Sequence, residues 1–123
     1  RNVGTKNRMY VFQGFLARTK TSTSTIRLGV RAYKIGNPSD GLQAFIYKLD
    51  DPQAVWVPAG KRFFSAPVSG TSLTSKREGA AAVFDFHLTE PIKPGFYFFV
   101  IYRTGPWDDQ NYYRLYTEAL TLL

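Results

Sequence analysis

Apolar residues occupy every second position from Ile26 to Ala32, with charged residues or glycine between them. A period of two is typical of a β-strand with one buried face, so the pattern predicts a strand over residues 25–35. Residues 36–41 are of the types that form turns, and residues 42–49 begin a second strand-like run. The pattern therefore predicts two strands of an antiparallel sheet joined by a polar turn.

The rest of the chain repeats this arrangement. Further strand-like runs cover residues 9–16, 62–65, 80–88, 96–102, 112–117 and a short apolar end at 120–123. Residues 80–88 alternate, whereas residues 96–102 are nearly all apolar and are expected at the centre of a sheet. No segment has the periodicity of an amphipathic helix. About eight short strands predict an all-β fold, a single antiparallel β-sandwich that is jelly-roll-like.

The composition excludes several classes of protein. A chain of 123 residues is sufficient for one domain that buries its own core. Cysteine is absent, so neither disulfides nor a thiolate metal site can stabilise the fold. No apolar run reaches the length of about 18 residues that a membrane span needs, so no span is expected.

Positive charge is concentrated in the first third of the chain. The net charge is +7, and residues 1–34 contain eight Lys or Arg and no acid. We predict a basic N-terminal arm at residues 1–8 and a sandwich domain at residues 9–123. Such an excess can bind an acidic neighbour, or it can simply be a solvated surface. The residues expected to supply docking charge are Arg1, Lys6 and Arg8 in the arm, and Arg27 and Arg31 on a strand face.

Six short motifs give the chain a resemblance to a known family. They are Phe12-Gln13-Gly14-Phe15, Thr25-Ile26-Arg27-Leu28, Gly36-Asn37-Pro38, Leu42-Gln43-Ala44-Phe45-Ile46-Tyr47, Pro94-Gly95-Phe96-Tyr97 and Asn111-Tyr112-Tyr113-Arg114. With these motifs the chain resembles a jelly-roll-like β-sandwich module of the choice-of-anchor type, which is found in prokaryotic surface proteins and phage structural proteins. The resemblance implies a sandwich that displays, anchors or binds, and it brings no catalytic residues with it.

The charge and the resemblance together predict a non-enzymatic structural or interaction module of a virion or cell-surface assembly. Capsid, decoration, tail and surface-display proteins all fit this description. The expected partners are other protein subunits, including copies of the same chain, and the expected location is a virion or the extracellular cell surface. Arg27, Arg31 and Tyr33 could also contact a single nucleic acid strand. No nucleic-acid-binding motif accompanies them, so nucleic acid is not an expected partner.

The alternative prediction is a carbohydrate-binding module. Trp107 lies in a predicted loop, and an exposed ring can stack on a sugar while neighbouring polar groups bond its hydroxyls. The simpler interpretation is that Trp107 covers one end of the core. The residues of this candidate glycan site are Trp107, Asp108, Asp109 and Asn111.

Catalytic and metal-binding patterns are weak. His87 is the only histidine, and although Asp85 is close in sequence, no nucleophile motif accompanies them. The pairs Asp50-Asp51 and Asp108-Asp109 lie in predicted loops and could ligate Ca²⁺, but their spacing matches no calcium-binding motif. Acids that form turns are the simpler interpretation. We therefore expect no enzyme activity, no metal site and no cofactor.

Overall fold

The strands predicted from the alternation are present. The computed structural model of the chain describes residues 2–5, 10–17, 25–48, 62–88 and 94–122. These residues form nine strands and one short 3₁₀ turn. The elements are β1 (Asn2–Val3), β2 (Tyr10–Ala17), β3 (Thr25–Ile35), β4 (Gly41–Lys48), β5 (Arg62–Phe64), β6 (Val68–Ser69), the 3₁₀ turn (Gly70–Ser72), β7 (Ala80–His87), β8 (Gly95–Arg103) and β9 (Tyr112–Leu122).

The strands form two antiparallel sheets. The four-stranded sheet has the order β1-β9-β3-β7, and the five-stranded sheet has the order β2-β8-β4-β5 with β6 also paired to β4. The first and last strands are neighbours in one sheet, and most successive long strands alternate between the two sheets. This is the jelly-roll arrangement, so the predicted fold class is confirmed.

The inner faces of the two sheets form one core. Phe84 and Phe86 of β7 lie edge-on to Phe99 of β8, with ring centroids 6.5 Å and 5.8 Å apart. Edge-to-face contacts at this separation add to the hydrophobic gain from burying the rings. The alternation predicted for residues 80–88 is correct, because the apolar residues at even positions from 82 to 88 are buried. Strand β8 lies between β2 and β4, which confirms its predicted central place.

The segment predicted as a basic arm contributes a strand to the sandwich. Asn2–Val3 pair with Tyr113 and Arg114 of β9, and the Val3 side chain is fully buried. Burying an aliphatic side chain stabilises the folded state, so this part of the segment belongs to the core. Arg1, Lys6 and Arg8 lie outside the described residues.

The end of the chain forms one strand where two shorter runs were predicted. β9 pairs with β3 from Ile35 back to Leu28, and its register shifts opposite Gly29 and Arg31. A shift of this kind interrupts the alternation of side chains along a strand. Because the sequence pattern breaks at the same point, the runs at residues 112–117 and 120–123 looked separate.

Candidate functional site

An ion pair between Asp40 and Arg103 lies at one end of the sandwich. Arg103 Nε donates to Asp40 Oδ2 and Nη2 donates to Oδ1, both at 2.8 Å. The Arg103 and Asp40 side chains are only 7% and 13% exposed. A bidentate, buried pair of this kind fixes the relative position of the strands that carry it. Here it joins the β3–β4 turn to the end of β8.

The remaining hydrogen bonds of this pair also go to the chain itself. Arg103 Nη1 donates to the carbonyl oxygens of Gly4 and Asn111, at 3.2 Å and 2.7 Å. Asp40 also accepts from the Gly105 N–H at 2.7 Å and the Tyr113 hydroxyl at 3.0 Å. We call Asp40, Arg103, Gly105 and Tyr113 the Asp40 cluster. Because its hydrogen-bonding groups are occupied internally, its role is to hold the loops at this end in place.

The electrostatics of the cluster agree with this structural role. Burial alone raises the pKa of Asp40, but hydrogen bonds from Arg103, Gly105 and Tyr113 outweigh burial and lower the pKa below its ordinary value. Burial and the Asp40 carboxylate raise the pKa of the Tyr113 hydroxyl far above its ordinary value. The aspartate is therefore ionised and the tyrosine neutral at any physiological pH.

Gly4 is required for the backbone to approach this cluster. Its φ of +92° lies in the region that favours glycine, and a Cβ at this position would clash with Arg103 Cδ. The carbonyl oxygen of Gly4 also accepts from the Asp108 N–H at 2.7 Å. The first residues of the chain thus help to position the β8–β9 loop.

The β8–β9 loop carries all four residues of the predicted glycan site. Trp107 is 50% exposed and is not among the described residues that pack against the core. Asn111 Nδ2 donates to Asp108 Oδ2 at 2.9 Å, and Asn111 Oδ1 accepts from the Asn37 N–H at 2.8 Å. The hydrogen bonds from Asn111 and the Gln110 N–H lower the pKa of Asp108. The structure therefore presents a half-exposed ring beside an ionised carboxylate, whereas the Asn111 amide is already engaged.

The outer face of the four-stranded sheet is basic. Arg27 of β3 pairs with Asp85 of β7, with 2.6 Å between Nε and Oδ1, and the two side chains are 60% and 32% exposed. Arg31 of β3 and Arg114 of β9 are exposed on the same face, and neither has an ion-pair partner among the described side chains. We call the outer face that carries Arg27, Arg31 and Arg114 the basic face. Lys76 and Arg77 are exposed in the loop before β7, and the Arg77 carbonyl oxygen accepts from the Tyr116 hydroxyl.

Part of the basic face was not predicted. Arg27 and Arg31 are exposed, as the alternation in β3 indicated. Tyr33 shares their side of the strand but is buried, with its ring centroid 5.8 Å from that of Tyr116. Arg114 was missed, although it lies two residues before Tyr116 in a strand whose period of two places both on one side. The pairing of β9 with β3 places Arg114 opposite Tyr33, on the same face as Arg31.

The outer face of the five-stranded sheet is aromatic, and the sequence analysis did not predict an exposed aromatic surface there. Phe45 is the centre, with ring centroids 5.4 Å from Phe64 and 5.9 Å from Tyr102. The Arg62 guanidinium lies over the Phe45 ring at 4.7 Å, a cation–π contact. We call these residues the aromatic face, together with Tyr47 and Phe98, whose rings stack at 5.7 Å.

The signal for the aromatic face was present in the sequence. The run at residues 42–49 is apolar on both sides, a pattern typical of a strand whose two faces are both covered. In the structure Phe45 and Tyr47 are partly exposed, and Phe64 is 50% exposed. No acidic side chain lies on this face among the described residues. An exposed apolar patch of this kind is typical of an interaction surface.

The remaining candidate chemistry finds no site in the described parts of the chain. No group of three His, Asp or Glu side chains there lies close enough to hold a metal ion. His87 is exposed on the outer side of β7, opposite Thr25. Asp50 and Asp51 lie outside the described residues. The described segments also contain no helix of the length and hydrophobicity that a membrane crossing requires.

Comparisons with known proteins give no match. No protein-family model matches the chain, and neither does any curated protein or solved structure.

Proposed function

We propose that the chain is a non-enzymatic structural and interaction module of a virion or cell-surface assembly, which docks to an acidic neighbouring subunit through the basic face. The observation that carries the proposal is the excess of unpaired cations on that face. Three arginines lie there; Arg27 pairs with Asp85, whereas Arg31 and Arg114 have no ion-pair partner among the described side chains. A surface of one sign steers an oppositely charged partner and fixes how it binds.

A charged surface on a rigid support can distinguish one binding partner from another. Arg31 and Arg114 project from two neighbouring strands of the sheet, so their backbones are held by the β3–β9 ladder. Strands position a binding group more precisely than loops do. The jelly roll itself is common among capsid and lectin domains, and the resemblance to surface and phage modules points the same way. These features support a module whose function is to hold and present a surface.

The N-terminal residues extend this proposal. Arg1, Lys6 and Arg8 are close to β1 in the sequence, and β1 pairs with β9 at the edge of the four described strands of that sheet. Removing residues 1–8 also removes the buried Val3, so loss of assembly after that deletion does not isolate the effect of charge. Replacing Arg1, Lys6 and Arg8 by serine keeps β1 and changes only the charge.

The docking proposal is tested with a defined acidic probe. We expect the intact chain to bind poly-L-glutamate, a stand-in for an acidic protein surface, and to lose most of that binding between about 0.05 M and about 0.5 M salt. The double variant Arg31→Ser/Arg114→Ser should bind roughly tenfold more weakly. Isothermal titration calorimetry measures both effects.

A matched control separates the face from the net charge. Arg62→Ser and Arg114→Ser each remove one exposed arginine, but Arg62 lies on the aromatic face. The proposal expects Arg114→Ser to weaken binding more than Arg62→Ser. Equal losses, or binding that does not respond to salt, would overturn it. Antibody labelling of intact particles or cells of the source then tests the proposed location.

A second candidate function is carbohydrate binding by the β8–β9 loop. The observation that favours it is the half-exposed Trp107 ring beside the ionised Asp108 carboxylate. A ring of this kind can stack on a sugar while the carboxylate accepts from a hydroxyl. A glycan array probed with the wild type and with Trp107→Ala tests it. Binding that is lost in the variant supports this function, and a wild type that binds no glycan rules it out.

A further inference from the structure

Two large aromatic side chains are exposed at different places on the fold. Among the described residues, Phe64 on the aromatic face and Trp107 on the β8–β9 loop are both 50% exposed. One is part of a broad platform of rings, and the other is a single ring at the end of the sandwich. In a protein interface, a broad aromatic surface of this kind is typical of the side that receives an anchor, and a single exposed ring is typical of the anchor itself.

The surroundings of the two groups are opposite in charge. Arg62 lies over the Phe45 ring, and no described acid is near it on that face. Trp107 is followed directly by Asp108, which is exposed and whose carboxylate accepts from Gln110 and Asn111. A carboxylate beside the anchor and an arginine beside the platform are complementary across an interface.

The anchor is also held in place before any contact forms. The Asp108 N–H donates to the Gly4 carbonyl oxygen, and Gly105 is tied to Asp40. Both ends of the short segment that contains Trp107 are therefore fixed by hydrogen bonds. A loop that is ordered in advance loses little conformational entropy on binding, which favours association.

The geometry points to head-to-tail association, in which the Trp107 loop of one copy of this chain packs on the aromatic face of the next copy. The inference rests on the proposed function, because it names a second copy as a neighbour in the assembly. The contact joins two different surfaces, so a bound pair still has one free surface of each kind, the aromatic face on one copy and the Trp107 loop on the other. Such heterologous contacts build rings when they close and filaments when they do not.

Sedimentation velocity over a series of concentrations tests this inference. The wild type should associate as concentration rises. Trp107→Ser and Phe64→Ser should each weaken association at least about tenfold, since each removes the centre of the contact. Both side chains are half exposed, so the variants should fold, and circular dichroism checks this. Arg62→Glu is a further variant that leaves both rings in place and should also weaken association.

Mixing the two serine variants gives the sharpest readout. Trp107→Ser keeps the aromatic face, and Phe64→Ser keeps the anchor, so an equal mixture can form one contact and no second one. We expect the mixture to form dimers and nothing larger, whereas each variant alone stays monomeric.

The controls distinguish this inference from the docking proposal. Val83→Ser changes an exposed hydrophobic residue on the basic face and should leave association unchanged. Arg31→Ser/Arg114→Ser should also leave it unchanged while weakening poly-L-glutamate binding. Association lost only in the arginine variant would overturn the head-to-tail contact and leave the docking proposal intact.

A monomeric wild type up to about 1 mM would likewise overturn the contact, as would a mixture that does not recover dimers. If Phe64→Ser loses glycan binding while the wild type stays monomeric, the aromatic face binds sugar and the inference is wrong.

Discussion

Two arginine–aspartate pairs in this chain differ in burial far more than in distance. Arg27 Nε lies 2.6 Å from Asp85 on the basic face, and Arg103 Nε lies 2.8 Å from Asp40 at the loop end. The arginine side chains are 60% and 7% exposed, respectively. The longer contact belongs to the pair that matters for stability, because it is bidentate, shielded from water and joined by further hydrogen bonds.

The difference in burial gives the two pairs different roles, a structural role for the buried pair and a functional role for the exposed pair. A buried pair is costly to break, because removing one partner leaves an uncompensated charge in the interior. An exposed pair contributes little to stability and can exchange its partner. The Asp40 cluster therefore maintains the loop end, while Arg27 remains available to the acidic neighbour that we propose.

The largest expected effect is that of Arg103→Met. Losing the arginine leaves Asp40 ionised and poorly solvated, so the free energy of unfolding should fall by about 3–5 kcal/mol. Arg27→Met is the matched control and should change stability by at most about 1 kcal/mol. Urea unfolding followed by tryptophan fluorescence measures both. Equal losses would show that burial does not distinguish the two pairs.

Tyr113→Phe should have the next largest effect. It removes the hydroxyl that donates to Asp40 but keeps the ring, so about 1.5–3 kcal/mol of stability should be lost. In Tyr116→Phe the lost hydroxyl donates to the exposed carbonyl oxygen of Arg77, and a smaller loss is expected. If Tyr116→Phe costs more than Tyr113→Phe, hydrogen bonds to Asp40 are not the main support of the loop end.

Acid should weaken the buried pair through Asp40. Burial opposes the ionised form, but the hydrogen bonds from Arg103 and the other donors lower the pKa of Asp40 in the folded state. A lowered pKa stabilises the fold above the unfolded-state value of about 3.9, and this stability is lost as the pH falls through the lower folded-state pKa.

The free energy of unfolding should therefore decrease below about pH 4 in the wild type, and less steeply in Asp40→Asn. Chemical unfolding at a series of pH values gives the two curves. Parallel curves would mean that other carboxylates cause the acid sensitivity.

Asp85→Asn should have the smallest effect on stability, within about 0.5 kcal/mol. The same change releases Arg27 from its partner and removes an acid from the basic face. Binding to poly-L-glutamate should therefore become tighter even though stability hardly changes. Weaker binding would indicate that Asp85 is needed to orient Arg27.

Local pattern determined much of the fold. The alternation in β3 gave its bounds, and the alternation in β7 gave its buried side, because neighbouring side chains of any strand point to opposite faces. β8 is nearly all apolar, and this property of its own residues was sufficient to predict its central place in the sheet. The loop that carries Trp107 was also located from its turn residues. Each of these features depends on residues that are close together in the sequence.

Only the tertiary structure decided which strands are neighbours. Asp40 and Arg103 are 63 positions apart, and nothing in either local pattern pairs them. Arg114 joins Arg31 on the basic face only because β9 returns to lie beside β3. Alternation indicates which residues share one side of a strand. The charge and shape of a surface, however, arise from several strands together. The sequence therefore determined a sandwich, and the packing of its strands created the basic and aromatic faces.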